Sequence, residues 1–340
     1  MEGGVRAVRS RRWEWPVALA RPQSIRTVTV KTIAKVPLVS ISVIAGLIAV
    51  GLATTTIVNV AASASEDAEL LSYGQLVRVD GKNMNVVISG DGTETIVLLP
   101  GLGTAAPGLD FATLVSALDD DYRVVVVEPF GYGLSDQTDE ARTSDNIAEE
   151  VHGALQSIGV DRYVLAGHSI AGIYGLEYVD RFRTEVTAFV GIDSSVPNQP
   201  GSKNATSVEG MGALKGLGLL RLLTSIAPGM YDDLAAYDAT AREQLAILGH
   251  RNAMSSTLID EIARTPDNFA AARNLAFPHD LPLLLFVVEN NPELAGWVRL
   301  HEDQVAHSDR GTLVLLDGGH YLHHTKTADI AAATVAFLSH

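Results

Sequence analysis

Ser169 sits in Tyr163-Val164-Leu165-Ala166-Gly167-His168-Ser169-Ile170-Ala171-Gly172, an apolar run that ends in a serine boxed by small residues and then turns helical. A hydroxyl in such a place can serve as a nucleophile. A buried strand that stops abruptly projects the serine at its C-terminal edge, and the backbone there folds so tightly that the residues two before and two after must be small. Gly167 and Ala171 meet that need in a G-x-S-x-A pattern, where G-x-S-x-G is commoner, and Gly172 leaves room for helix to pack on sheet. The serine needs a base to take its proton and a carboxylate to hold that base in the right tautomer. Among ten histidines, His320 is the best placed. It follows the apolar run Gly311 to Leu316 through Asp317-Gly318-Gly319, a loop loose enough to swing an imidazole over Ser169. His323 and His324 fall on the turn after it. His168 points away from Ser169 and reads as structural or pocket-lining.

The elements that position these residues are legible on both sides of the serine. Thr95 to Leu99 reads as a buried strand closing on Pro100-Gly101-Leu102-Gly103-Thr104, and Tyr122 to Val127 as a second, opening into Glu128-Pro129-Phe130-Gly131-Tyr132-Gly133-Leu134-Ser135-Asp136. Continuous β-branched runs of this kind mark parallel strands covered on both faces. The spacing predicts a helix over Ser144 to Ile158, capped by Ser-Asp-Asn and ended by Gly159, and another over Gly172 to Phe182. Val186 to Ile192, Leu281 to Val288 and Gly311 to Leu316 read as further strands. Alternating strands and helices give an α/β fold with a parallel sheet, helices on both faces, and a ligand site at the strands' C-terminal ends.

With Leu-Leu-Pro-Gly-Leu-Gly at 98–103, the Glu128 to Asp136 stretch, the serine turn at 167–172 and Gly-Gly-His-Tyr at 318–321, the chain resembles the α/β-hydrolase fold superfamily over roughly residues 73 to 340. The resemblance implies a mostly parallel central sheet, a helical cap insert and a triad in the chain order Ser, acid, His. It implies His320 as base, since the family places its histidine directly after the last strand. The family's usual acid position follows Leu281 to Val288, but here the residues are Glu289-Asn290-Asn291-Pro292-Glu293, with asparagine where the aspartate aligns. Asp193, at the end of the preceding strand, matches the position used by the pancreatic-lipase branch. Asp193 is favoured, with Glu289 the alternative and Glu293 third. An oxyanion hole needs two backbone N–H groups, and Ile170, opening a helix, and Leu102 would supply them. Pro100 departs from the family, replacing the histidine that usually supports this loop. Ser169 also separates the chain from haloalkane dehalogenases and epoxide hydrolases, which carry aspartate there. The expected activity is cleavage of a carboxylic ester, in the manner of an esterase or lipase, through an acyl-enzyme. A peptidase resembling the proline iminopeptidases, an acyltransferase, or a non-catalytic binding module are the alternatives.

About 85 residues separate Asp193 from the strand at Leu281, too many for a plain connection, so a helical cap is expected at about 197–278. Its expected helices are Met211 to Leu223, Asp232 to Leu248 and Ser256 to Arg264. The leucines of the first suggest either packing or a hydrophobic acyl pocket.

The N-terminal residues concern location. Residues 1–35 carry eight basic and two acidic side chains, and no further Lys or Arg occurs before Arg78. Val36 to Ala62 between them is apolar; some 25 helical residues span roughly 37 Å, enough to cross a bilayer. Residues 36–62 are expected to form a transmembrane signal-anchor, with 1–35 cytoplasmic, 63–72 a linker, and the hydrolase domain 73–340 extracytoplasmic. The alternative is secretion after cleavage at Ala62-Ser63-Ala64. The formal charge is −15, so beyond the basic head the chain is strongly acidic, which argues against nucleic acid or anionic lipid headgroups as bulk partners. Cysteine is absent, excluding disulfides and thiol chemistry. No cofactor and no metal site are expected, and the expected partners are a small-molecule ester or acyl substrate and the membrane.

Overall fold

The computed structural model describes residues 38–226, 231, 234–292 and 294–339, with side chains from Val43 onward. The basic segment 1–35, Asp232 and Glu293 lie outside the described residues. The chain divides into two units, Met1–Ile48 and Ala49–His340. Helix α1 (Leu38–Glu69) is uncharged until Glu66, and from Val43 to Glu69 it is long and apolar enough to cross a membrane. It runs on past Ala62, so most of the expected linker 63–72 is helical; the alanine-rich Ala61 to Glu69 sequence favours helix strongly enough to extend it.

Next come β1 (Gln75–Val79) and β2 (Lys82–Ser89), an antiparallel hairpin. Its turn, Asp80-Gly81, has φ of +47° and +79°, the two left-handed positions that a two-residue hairpin requires. Local patterning does not disclose this hairpin, because its outer strand β1 is short, largely exposed and at the sheet's edge. Then follow β3 (Thr95–Leu99), the short helices α2 (Pro107–Asp110) and α3 (Ala112–Leu118), β4 (Arg123–Glu128), α4 (Ser144–Ser157), β5 (Tyr163–His168), α5 (Ala171–Phe182) and β6 (Val186–Ile192). Helix α4 is capped by Thr143, whose side chain accepts from Asn146 N, rather than by the Ser-Asp-Asn that follows it.

The cap lies between β6 and β7 and comprises α6 (Met211–Gly216), α7 (Leu219–Thr224), α8 (Ala239–Asn252) and α9 (Ser256–Ala272). The expected single helix over 211–223 is broken before Gly218, whose φ is +74°. Helix α8 starts late, where Asp238 accepts from Ala241 N at 2.8 Å. Helix α9 continues through Pro266, burying Asn268, Phe269 and Ala272 beyond it. The chain ends with β7 (Leu283–Val288), α10 (Trp297–Val305), β8 (Gly311–Leu316), α11 (Leu322–Thr325) and α12 (Thr327–Leu338).

Among the described residues eight strands form one sheet in the order β1-β2-β4-β3-β5-β6-β7-β8, parallel from β4 through β8. Alternate residues feed two cores. Val97, Leu99, Leu165, Leu285 and Val287 pack with α4, α5 and Trp297 on one face. Ile96, Leu98, Leu284 and Phe286 pack with α3 and α12 on the other. Burial on both faces is why these strands read as unbroken apolar runs. At the end of β4 the buried Glu128 accepts from Gly108 N, Leu134 N, Asn85 Nδ2 and Tyr73 Oη, tying together the loops that flank the site.

Candidate active site

Ser169 occupies the turn from β5 to α5 with φ +55°, a left-handed conformation that few non-glycine residues adopt. The turn is held by Ser169 N donating to Ile192 O at 3.2 Å and Ser195 N donating to Ser169 O at 2.7 Å. A Cβ on Gly167 would stand 2.7 Å from Ala171 Cβ, so both must be small. Gly172 is needed for a different reason from the one expected: a Cβ there would stand 2.3 Å from Ser195 O, in the loop after β6 rather than in the sheet.

His320, on the loop between β8 and α11, lies with Nε2 2.8 Å from Ser169 Oγ and Nδ1 2.6 Å from Asp193 Oδ2. Asp193 is buried, just past the end of β6 with φ +42°. Its second oxygen accepts from Trp297 Nε1 at 2.7 Å and Val288 N at 3.1 Å. Both of its oxygens thus face fixed donors. Glu289 is exposed, and its backbone N–H donates to Leu316 O; the structure brings Asp193, not Glu289, to His320.

Leu102 follows β3 and Ile170 precedes α5. Among the described residues neither of their N–H groups donates to a protein acceptor. Ile170 stands at the positive end of the 12-residue helix α5. The loop around Leu102 gains a support that replaces the missing histidine at Pro100. Gly103 N donates to Tyr132 Oη at 3.2 Å, and Tyr132 in turn donates to Glu261 Oε1 of α9 at 2.9 Å. Tyr174 donates to the same oxygen at 2.8 Å.

Three histidines behind His320 form a layer that sequence reasoning placed only in part. His168 is buried with its ring tilted against that of His320, centroids 4.7 Å apart, and its Nε2 donates to His320 O at 3.1 Å. Among the described residues its Nδ1 has no hydrogen-bond partner; it faces Gly101, where a Cβ would stand 2.7 Å away. Burial, then the charges of His323 and His320, push His168 well below the ordinary histidine range. His323 and His324 do lie on the following turn, α11, but they are buried and both pair with Asp110, at 2.8 Å each. Tyr231 donates to the same carboxylate at 2.7 Å. Asp110 and Trp297 carried no signal in the sequence, since the side-chain hydrogen bonds that bring them to this site join residues more than a hundred positions apart.

The cap reaches the site through α8 and α9. Asn252 donates to Ala105 O and Gly133 O, and Thr257 pairs with Thr138, above the loops after β3 and β4. His320 keeps 43% of its side chain exposed. Leu222 and Leu223 of α7 are exposed.

A hydroxyl, an imidazole and a carboxylate in series, placed at the C-terminal ends of parallel strands beside two unengaged N–H groups, can open an acyl bond by nucleophilic attack. With this sheet around it, that chemistry defines the class as an α/β hydrolase. The chain belongs to the alpha/beta hydrolase family, whose model matches residues 96–333. It is similar to the uncharacterized protein YbdG of Bacillus subtilis, at 29% identity over 231 residues, 65% of this chain and 70% of that one. A 2-hydroxy-6-oxononadienedioate/2-hydroxy-6-oxononatrienedioate hydrolase of Paraburkholderia phymatum is 33% identical over 135 residues, 38% of this chain and 45% of that protein. Among solved structures, the enol-lactonase from Burkholderia xenovorans LB400 matches with a TM-score of 0.57 at 18% identity, covering 78% of this chain and 100% of that one. Epoxide hydrolase VrEH1 from Vigna radiata matches at 0.59 and 17% identity, covering 78% and 97%. At such identities the likeness is one of fold.

Proposed function

We propose that this chain is a membrane-anchored serine hydrolase that cleaves carboxylic esters through Ser169, His320 and Asp193, with its hydrolase domain on the extracytoplasmic side. The observation that carries the reading is the bridge made by His320, 2.8 Å from Ser169 Oγ and 2.6 Å from Asp193 Oδ2. Ser169 Oγ attacks the ester carbonyl while His320 Nε2 takes its proton, and Asp193 holds Nδ1–H and stabilises the imidazolium. The oxyanion forms toward Leu102 N–H and Ile170 N–H. Collapse expels the alcohol with the proton from His320. Water, deprotonated by His320, then attacks the acyl-enzyme, and the carboxylic acid leaves as Ser169 recovers its proton.

Anchoring is supported by α1, by the eight basic residues ahead of it, and by the acidic composition beyond it. The enol-lactonase and 2-hydroxy-6-oxononadienedioate hydrolase names make lactones and hydroxy-oxo dioates worth testing beside esters.

The test is labelling of the full chain with a fluorophosphonate, together with hydrolysis of p-nitrophenyl esters, a lactone and a p-nitroanilide. Labelling and ester turnover that vanish in Ser169→Ala are expected. A folded protein that takes no label overturns the serine mechanism, and turnover of the anilide alone replaces the ester reading with a peptidase one.

A further inference from the structure

Four polar residues of α1 share one face of the helix. Thr55, Asn59, Ser63 and Glu66 recur at helical spacing on one stripe, and that stripe meets the cap. A Cβ on Gly218 would stand 2.4 Å from Thr55 O, so the break between α6 and α7 is where the backbones touch. Asn59 donates to Lys215 O at 3.3 Å and accepts from Arg221 Nε at 2.9 Å. Arg221 also donates to Ser63 Oγ at 3.1 Å and to Glu66 Oε2 at 2.8 Å, and His250 of α8 pairs with Glu66. Past the helix end, Leu71 N donates to Gln244 Oε1 at 2.8 Å. The C-terminal part of α1 is therefore bolted to the cap rather than serving as a loose stalk.

Length places this junction relative to a bilayer. A hydrocarbon core of about 30 Å takes about 20 helical residues. Counted from Val36, just after the last basic residue, these end at Thr55, which is the residue that meets Gly218. The cap thus grips the helix where the hydrocarbon ends. On the α7 side of this junction Leu222, Leu223 and Ile226 are exposed, the last by 77%, and Ile57, Val58 and Val60 of α1 are exposed as well. Among the described residues outside α1, most exposed large hydrophobics lie on this α6–α7 edge.

We propose that Leu222, Leu223 and Ile226 insert into the outer interface of the bilayer that α1 crosses, holding the hydrolase cap-down on the membrane. The inference rests on the anchored reading above and deepens it by naming a second membrane contact. Because the chain beyond residue 35 is strongly acidic, insertion is apolar in origin, and neutral lipid suffices.

The natural absence of cysteine allows single labels. The full chain is reconstituted in dioleoylphosphatidylcholine vesicles with an environment-sensitive fluorophore at Val50→Cys, Leu223→Cys or Asp161→Cys, and quenched by lipids spin-labelled at shallow or deep acyl positions. The expected result is lipid quenching at Val50 and, by the shallow quencher and unchanged in 1 M salt, at Leu223, with Asp161 water-like. Quenching at Val50 with a water-exposed Leu223 label overturns this inference and leaves the anchor standing. Water-like labels at both positions overturn the anchor and this inference together. A Leu223 label hidden from water yet unquenched by lipid means a second protein copy covers the face, and also overturns it.

Discussion

His168 Nε2 donates to the carbonyl oxygen of His320 at 3.1 Å, so the residue next to Ser169 in sequence fixes the backbone of the residue next to it in space. Because a carbonyl only accepts, the proton must sit on Nε2, which leaves the buried Nδ1 bare against Gly101. His168→Phe keeps the ring and removes the donor. It is expected to lower kcat about 10- to 100-fold with KM within about twofold, since small displacements of a catalytic group cost this much. Steady-state kinetics on a p-nitrophenyl ester, with the near-ultraviolet dichroism unchanged, is the check; an unchanged kcat would show that His320 needs no such support.

Asp193 is the acid that the geometry favours, and its two oxygens divide the work. One faces His320, and the other is held by Trp297 Nε1 and Val288 N. Asp193→Asn is expected to cut kcat by about 10⁴, as loss of the correct histidine tautomer does elsewhere. Trp297→Phe, which frees the carboxylate to rotate, should cost about 10-fold through the loss of one hydrogen bond to a charged group. Glu289→Gln should be silent. Near-normal turnover in Asp193→Asn, alongside an inactive Glu289→Gln, would sink the assignment.

What the sequence disclosed and what it hid follow from the range of the interactions. Ser169 and its small neighbours are a local backbone requirement, and the parallel strands are two-sided burial, so both were readable within ten residues. Asp193 was readable as the better carboxylate only because asparagine fills the alternative place. The β1–β2 hairpin escaped because its outer strand faces solvent, with Gln75, Leu76 and Arg78 exposed and little apolar alternation to see. The break at Gly218 goes with the packing of α1 on the cap, across more than 150 residues. No local pattern encodes such a contact. Trp297, Asp110 and Tyr132 were missed for the same reason.

Tyr132 stands where the missing support for the oxyanion loop should be. It accepts from Gly103 N, one residue after Leu102, and donates to Glu261, which Tyr174 also satisfies. Tyr132→Phe removes both bonds, whereas Tyr174→Phe removes one Glu261 bond and leaves the loop alone. The expected outcome is a fall of about 10-fold in kcat and in the fluorophosphonate labelling rate for Tyr132→Phe, below the 10² to 10³ of losing an oxyanion donor outright. Tyr174→Phe should retain both rates while losing some stability. Equal rates for the two variants would mean that Gly103 is held without the phenol.

The buried layer behind His320 sets how the protein tolerates acid. Burial alone would raise the pKa of Asp110, but hydrogen bonds and charge from His323 and His324 outweigh it and hold this carboxyl well below the usual range. Burial lowers His323 past the lift that Asp110 gives it, and burial with neighbouring charge lowers His168 further. The folded state therefore keeps Asp110 ionised and both histidines neutral. Below about pH 6.5 the unfolded chain binds protons on these two histidines and the native one does not, so stability falls with pH. The limiting slope is about 1.4 kcal/mol per pH unit for each histidine. Asp110 adds its own loss only below about pH 3.9, as the pH falls toward its depressed native pKa. Melting temperatures measured from pH 7.5 to 5 should be level above about pH 7 and drop steeply below 6.5, and His168→Phe should show a shallower drop because one of the two linked protons is gone. A level profile in the unmodified chain, or an identical slope in His168→Phe, would show that these imidazoles charge within the fold.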